Sequence, residues 1–204
     1  MVLSAQPPNR TPPKLLLASG SRYRQAQLQQ IGVTFRAAPA NVDESVKINE
    51  TAAALACRLA REKALALLSS TDNNTLIIGS DQSAECRGRI LGKPGSKENA
   101  VEQLSFCQNT IVTFHTALCV YPTGTDTALA DCTTTTVKFR PLSSEQIEHY
   151  IEREQPLDCA GSFKCEGLGI TLFEYIRSDD PSALIGLPLI RLTSFLMQLG
   201  FRLP

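Results

Sequence analysis

The order in which strand-like and helix-like segments follow one another constrains this chain most. Lys14 to Ala18 is a short apolar run that reads as a buried strand. Ser19-Gly20-Ser21 follows it with a turn and helix N-cap chemistry. Arg22 to Gln30 then reads as a helix stopped by Gly32, and Val33 to Ala38 as a strand ended near Pro39. Glu50 to Leu68 is the clearest helix, because Ala52, Leu55, Ala56, Leu59 and Ala60 keep the helical period. Thr75 to Ser80 is another buried strand, Ser83 to Leu91 a hairpin around Arg87-Gly88, and Ser96 to Phe106 a helix. Two long strands are expected at Thr110 to Tyr121 and Ala128 to Phe139, joined by a turn at Gly124. Ser143 to Glu152 reads as a helix capped by Ser143. Ala160 to Arg177 is Gly-rich and then strand-like, and Leu189 to Leu199 is an amphipathic helix closed by Gly200. Strands alternate with helices until a hairpin intrudes, so the expected class is α/β with a mixed sheet. Residues 1–13 are polar and carry four Pro, which predicts a disordered tail. Residues 14–204, without repeat or linker, are expected to form one two-lobed unit with a cleft.

Charge and composition narrow the function. Twenty Lys plus Arg balance 20 Asp plus Glu, for a net charge of +0. That argues against stable nucleic-acid binding, which needs a strong positive field, but leaves room for a small anionic ligand. No apolar run reaches transmembrane length, and the first residues lack the apolar core of a secretory signal. The seven Cys contain no CxxC pair, and the only His are His115 and His149. Zinc sites and His-based triads are therefore poor fits, and reduced core thiols in a cytoplasmic protein are expected.

Six local patterns could carry chemistry. In Leu15–Arg24, a strand ends in small residues and a helix begins. Its free N–H groups, with Ser19, Ser21, Arg22 and Arg24, suit a phosphate cradle or an ordinary capped helix start. Asp43-Glu44 suits a divalent cation or a solvated acidic loop. Lys63 shares the apolar face of its helix, so it either snorkels outward or points into a cleft. Asp81 follows directly on the apolar Thr75–Ser80 run, where it would cap the strand end, bind metal or activate water. Lys93 is framed by Gly92 and Pro94, which aims a cation but also describes a tight turn. Three Gly in Ala160–Gly169 allow close backbone approach, with Lys164 toward phosphate and Glu166 toward guanine-type N–H donors.

The order of LASGSRYR, VDES, EKA, IGSDQ, LGKPG, GSFKCEGLG and LIGLPL resembles the Maf family of nucleoside triphosphate pyrophosphatases, from about Lys14 to Leu199. Gln82 and Glu166 are similar to its YceF-type branch, which acts on 7-methyl-GTP, whereas the dTTP/UTP branch has Thr and Gln there. The resemblance implies an inosine triphosphatase-like fold, with an elongated mixed sheet, two lobes and a central cleft. It implies hydrolysis of a nucleoside triphosphate to the monophosphate and pyrophosphate with Mg²⁺ or Mn²⁺, and a homodimer. Carried over by position, Asp81 matches the proton acceptor. Ser19, Arg24, Glu44, Lys63 and Lys93 match the polar cleft residues, with Glu44 and Asp81 toward the metal. Tyr23, Gln82 and Glu166 match positions linked to base choice. Tyr23 stands where the branch often has Trp, Cys165 where it has Ser, and Gly20 and Arg22 where Thr and Pro are expected. Two other readings stand beside this one: a dTTP/UTP or broad-specificity enzyme of the same family, and, because family members are also associated with septum formation and cell division, a non-catalytic nucleotide-binding regulator.

Overall fold

The computed structural model describes residues 12–203. The expected tail, residues 1–13, therefore lies outside the described residues except for Pro12 and Pro13. The chain forms β1 (Lys14–Leu17), α1 (Arg22–Gln30), β2 (Arg36–Ala37), α2 (Ala52–Ala66), β3 (Thr75–Cys86), β4 (Arg89–Leu91) and α3 (Lys97–Cys107). It continues with β5 (Ile111–Pro122), β6 (Leu129–Phe139), α4 (Ser144–Glu154), β7 (Phe173–Ser178) and α5 (Leu189–Gln198). Short 3-10 turns lie at Ala160–Ser162, Leu168–Leu172 and Pro181–Ile185.

One mixed sheet runs β2-β1-β3-β5-β6-β7, with β4 paired to β3. The β1 pairings with β2 and β3 are parallel; β3–β5, β5–β6 and β6–β7 are antiparallel. The helical crossovers of the first half give parallel pairs, and the direct β5–β6 connection gives an antiparallel one.

Alternation along β3 assigns its side chains to two faces. Leu76 and Ile78 join an apolar cluster with Leu192 and Leu196 of α5. Ile77 joins Ala56 and Ala60 of α2 on the other face. A separate cluster at the other end of β3 and β5 holds Ala84, Phe114, Phe139, Ile147 and Phe173. Its Phe rings meet edge to face, with Phe139 and Phe173 centroids 4.9 Å apart. The clusters are the cores of two lobes, and β3 and β5 cross from one to the other.

Two sequence expectations change. Val33–Ala38 keeps only Arg36–Ala37 as strand. The second change matters more. β3 does not end at Ser80 but continues to Cys86, paired with β5 from Leu76↔Pro122 to Glu85↔Thr113. The polar stretch stays in the sheet because its side chains find partners. Ser80 Oγ donates to Ala117 O at 2.8 Å, and Ser83 Oγ to Ala52 O at 2.5 Å. Asp81 is thus a mid-strand residue rather than a strand-end cap.

Candidate active site

A cleft of about 790 Å³ opens between the lobes. That volume falls within the range of small-molecule sites. Its walls include the β1–α1 turn, the loop before α2, the middle of β3, the Leu91–Lys93 turn and the Gly-rich segment after α4. Ser19, Ser21, Tyr23, Arg24, Glu44, Lys63, Asp81, Gln82, Lys93, Lys164 and Glu166 all line it.

Lys63 is the centre of charge. The helical period places it on the apolar face of α2, and it is buried there rather than turned outward. Its Nζ lies 2.6 Å from Glu44 Oε1 and 2.6 Å from Asp81 Oδ1. α2 can lie this close to β3 because residue 79 is Gly. A Cβ there would stand 2.1 Å from Ala60 O and 2.8 Å from Ala64 N.

The two carboxylates sit in opposite environments. Asp81 is 8% exposed, and burial raises its pKa against the opposing charges of Lys63 and Arg24. Glu44 has a half-exposed side chain. The Lys63 hydrogen bond lowers its pKa, and the charges of Lys93 and Arg24 add to that.

The start of α1 is fixed by its own polar groups. Ser21 caps the helix, its Oγ accepting from Arg24 N at 3.4 Å. Ser19 Oγ accepts from Ser21 N at 3.1 Å and from Arg24 Nη1 at 3.5 Å. Arg24 Nε donates to Gly186 O at 2.7 Å. A hydroxyl, a guanidinium and the helix N-terminus therefore converge on one wall, as an anion requires. Lys93 is exposed at its turn.

The remaining residues are more committed than their sequence positions suggested. Arg22 lies over the Tyr23 ring, 4.9 Å from its centroid, and donates to Tyr23 Oη at 2.8 Å. A cationic base must use the other face of that ring or displace Arg22. Gln82 Nε2 donates to Thr116 Oγ1, Ala183 O and Leu184 O at 2.9, 2.9 and 3.2 Å, which leaves its Oε1 as the free acceptor. Lys164 Nζ donates to Glu154 O at 2.8 Å and Gln155 O at 3.2 Å, so its cation closes the end of α4. Glu154 Oε2 accepts from Leu168 N at 2.7 Å and steadies the loop that exposes Glu166 to the cleft. Gly169 in that loop has no room for a Cβ, which would lie 2.4 Å from Lys164 O.

Sequence reading gave no role to the carbonyl of Gly186, which accepts from Arg24 and lies 3.1 Å from Ser80 Oγ. The LIGLPL motif that contains it was the available signal. His115 lies 3.6 Å from Glu85 Oε1 and His149 is exposed on α4; neither lines the cleft.

Glu44 and Asp81 meet on one ammonium, so a single cation can reach both. Their hard oxygen donors suit Mg²⁺ or Mn²⁺, which bind through one or two carboxylates plus substrate phosphates. Among the described residues no group of three or more His, Cys, Asp or Glu could hold a metal unaided. All seven cysteines are free thiols. Among the described residues no helix is long and apolar enough to cross a membrane.

Residues 14–199 match the family model described as Maf-like protein. The chain is 54% identical over 195 residues to the 7-methyl-GTP pyrophosphatase of Saccharophagus degradans, covering 96% of this chain and 98% of that one. It is 48% identical over 192 residues to the 7-methyl-GTP pyrophosphatase of Alcanivorax borkumensis, covering 94% and 97%. The fold is similar to that of the Staphylococcus aureus Ham1 protein, with a TM-score of 0.50, 14% identity, and coverage of 91% and 98%.

Proposed function

The chain belongs to the Maf family, and from that premise we propose that it hydrolyses 7-methyl-GTP to 7-methyl-GMP and pyrophosphate. The observation that carries the hydrolytic reading is the Lys63 ammonium shared by Glu44 and Asp81 in the cleft wall. The substrate reading rests on the relatives, which carry that activity in their names at high identity over nearly their full length.

In this reading water attacks the α-phosphorus. A new P–O bond forms, the bond from that phosphorus to the bridging oxygen breaks, and pyrophosphate leaves. Asp81 takes the proton of the attacking water. Its desolvated carboxyl is the better base of the pair, whereas the more exposed Glu44 stays ionised. Glu44 and Asp81 would hold the divalent cation, which supplies charge neutralisation at the phosphates. Arg24, Lys63 and Lys93 balance the charge that collects on the leaving pyrophosphate. Ser19 and the N–H groups at the start of α1 grip phosphate oxygens. Ser21 contributes by holding that helix start in place. Gln82 Oε1 and Glu166 offer acceptors to guanine N–H donors, and Tyr23 offers one ring face. Lys164 acts by fixing the loop that bears Glu166. A homodimer belongs to the same reading. So does a cytoplasmic location, where free thiols remain reduced.

Pyrophosphate release from 7-methyl-GTP, GTP, UTP and dTTP with Mg²⁺ or Mn²⁺ tests the proposal. The expected result is fastest release from 7-methyl-GTP. Faster turnover of UTP or dTTP would overturn the substrate assignment. No metal-dependent release from any of them would leave a binding role instead.

A further inference from the structure

Glu44 is placed on Lys63 by a loop with no helix or strand of its own, residues 38–51. Its neighbours Asp43, Ser45 and Val46 are exposed, so apolar packing does not hold it there. The tie comes from Arg58, on α2 and 15% exposed in its side chain.

Arg58 has five N–H donors, and each has its own acceptor. Nε and Nη2 form a fork on Glu50, at 2.6 Å to Oε1 and 2.8 Å to Oε2. Nη1 donates to Glu62 Oε2 at 3.1 Å. The two remaining protons go to Ser45 O at 2.9 Å and Asp43 O at 3.4 Å. Those carbonyls belong to the residues on either side of Glu44. One planar group on the helix that carries Lys63 thus holds the backbone on both sides of the carboxylate that Lys63 meets. Glu50 and Glu62 set the plane of the fork.

We propose that Arg58 is a positioning residue that aims Glu44 into the site. It touches neither substrate nor metal in this role and acts only through Glu44. The inference rests on the proposed function for Glu44's part in turnover, but the tether itself can be measured without turnover.

The experiment has two arms on the full chain. The first is a double-mutant cycle of Arg58→Gln and Glu44→Gln with 7-methyl-GTP and Mn²⁺. Arg58→Gln alone is expected to lower kcat by roughly 10–100-fold, the usual cost of losing a group that orients a ligand. In the Glu44→Gln background the same change is expected to cost less than about twofold, because its only route of action is already gone. Losses that multiply would overturn the proposal. Arg58→Lys keeps the charge facing Glu50 and Glu62 but not the fork, and serves in place of Arg58→Gln if that variant does not fold. It is expected to fold and to show an intermediate kcat; wild-type kcat would overturn the need for the fork.

The second arm is amide hydrogen exchange of residues 41–47, which needs no substrate. Exchange is expected to quicken in the Arg58 variant, and unchanged exchange would also overturn the proposal. If wild-type protein turns over another triphosphate but not 7-methyl-GTP, the substrate reading fails. The cycle is then run on that triphosphate, so the two failures stay separate.

Discussion

Asp81 and Glu44 share one lysine yet are pulled in opposite directions, and that difference is measurable. Burial holds the Asp81 carboxyl above its ordinary value of 3.8, while Lys63 and Arg24 restrain the rise. A general base works only when ionised, so activity is lost as pH falls through that raised value. The acid limb of kcat/KM is therefore expected above the ordinary aspartate range. Lys63→Met removes a restraining charge and should move the limb to higher pH while lowering the rate. A pH profile with an unmoved limb would remove Lys63 as the partner of the base. Asp81→Asn should lower kcat by about 10²–10⁴-fold, the usual scale of general-base loss. Near-normal turnover would sink the assignment. Glu166→Gln keeps shape but offers new donors, so 7-methyl-GTP should weaken relative to UTP in a kcat/KM comparison. At this scale the sequence was a good guide to which residues line one cleft. It was a poor guide to what their atoms do. The ammonium of Lys164 and the amide protons of Gln82 are already spent on neighbouring backbone, and no local spacing encodes that.

Between elements, the decisive contact is α2 against β3. Gly79→Ala would drive a methyl into the carbonyl of Ala60 and the amide of Ala64. Overpacking of this kind typically costs about 1–3 kcal/mol. Urea denaturation should show that loss. Turnover should fall with it, because Lys63 and Asp81 reach each other across this same interface.

The loop before α2 has its own pH dependence. Arg58 holds the Glu50 carboxyl down at about 2, against an ordinary 4.5. A depressed carboxyl contributes stability above its unfolded value and loses it as pH falls toward the folded value. The stability difference between wild type and Arg58→Gln should thus be constant above pH 4.5 and shrink between 4.5 and about 2. Urea midpoints measured across that range check the sign. Helix starts at Ser21, Ser96 and Ser143 were legible because a cap is a local signal. The length of β3 was not. Asp81-Gln82 reads as a break between a strand and a hairpin until Thr116, Ala117 and Ala183 are brought beside it.

The whole molecule is two lobes threaded by common strands. β3 supplies Ile78 to one core and Ala84 to another, and β5 supplies Val120 and Phe114 in the same way. Neither lobe can lose its part of the sheet without disturbing the other. A single cooperative unfolding transition is therefore expected. Coincident far-UV circular dichroism and tyrosine fluorescence curves would support one unit, and separated midpoints would argue for two.

The sequence by itself determined the α/β class and the element order, because period, caps and turns act over a few positions, and its resemblance to the family picked out polar residues that line the cleft. It also placed Lys63 on the apolar face of its helix, with its ammonium free to turn outward or into a cleft. Only the tertiary structure decided that Lys63 spans Glu44 and Asp81, that Arg22 covers a face of Tyr23, and that Arg58 clasps the backbone around Glu44. Lys63 and Asp81 lie 18 positions apart in the chain. Their meeting depends on how closely a helix can lie on a sheet, and that distance is set by packing between segments.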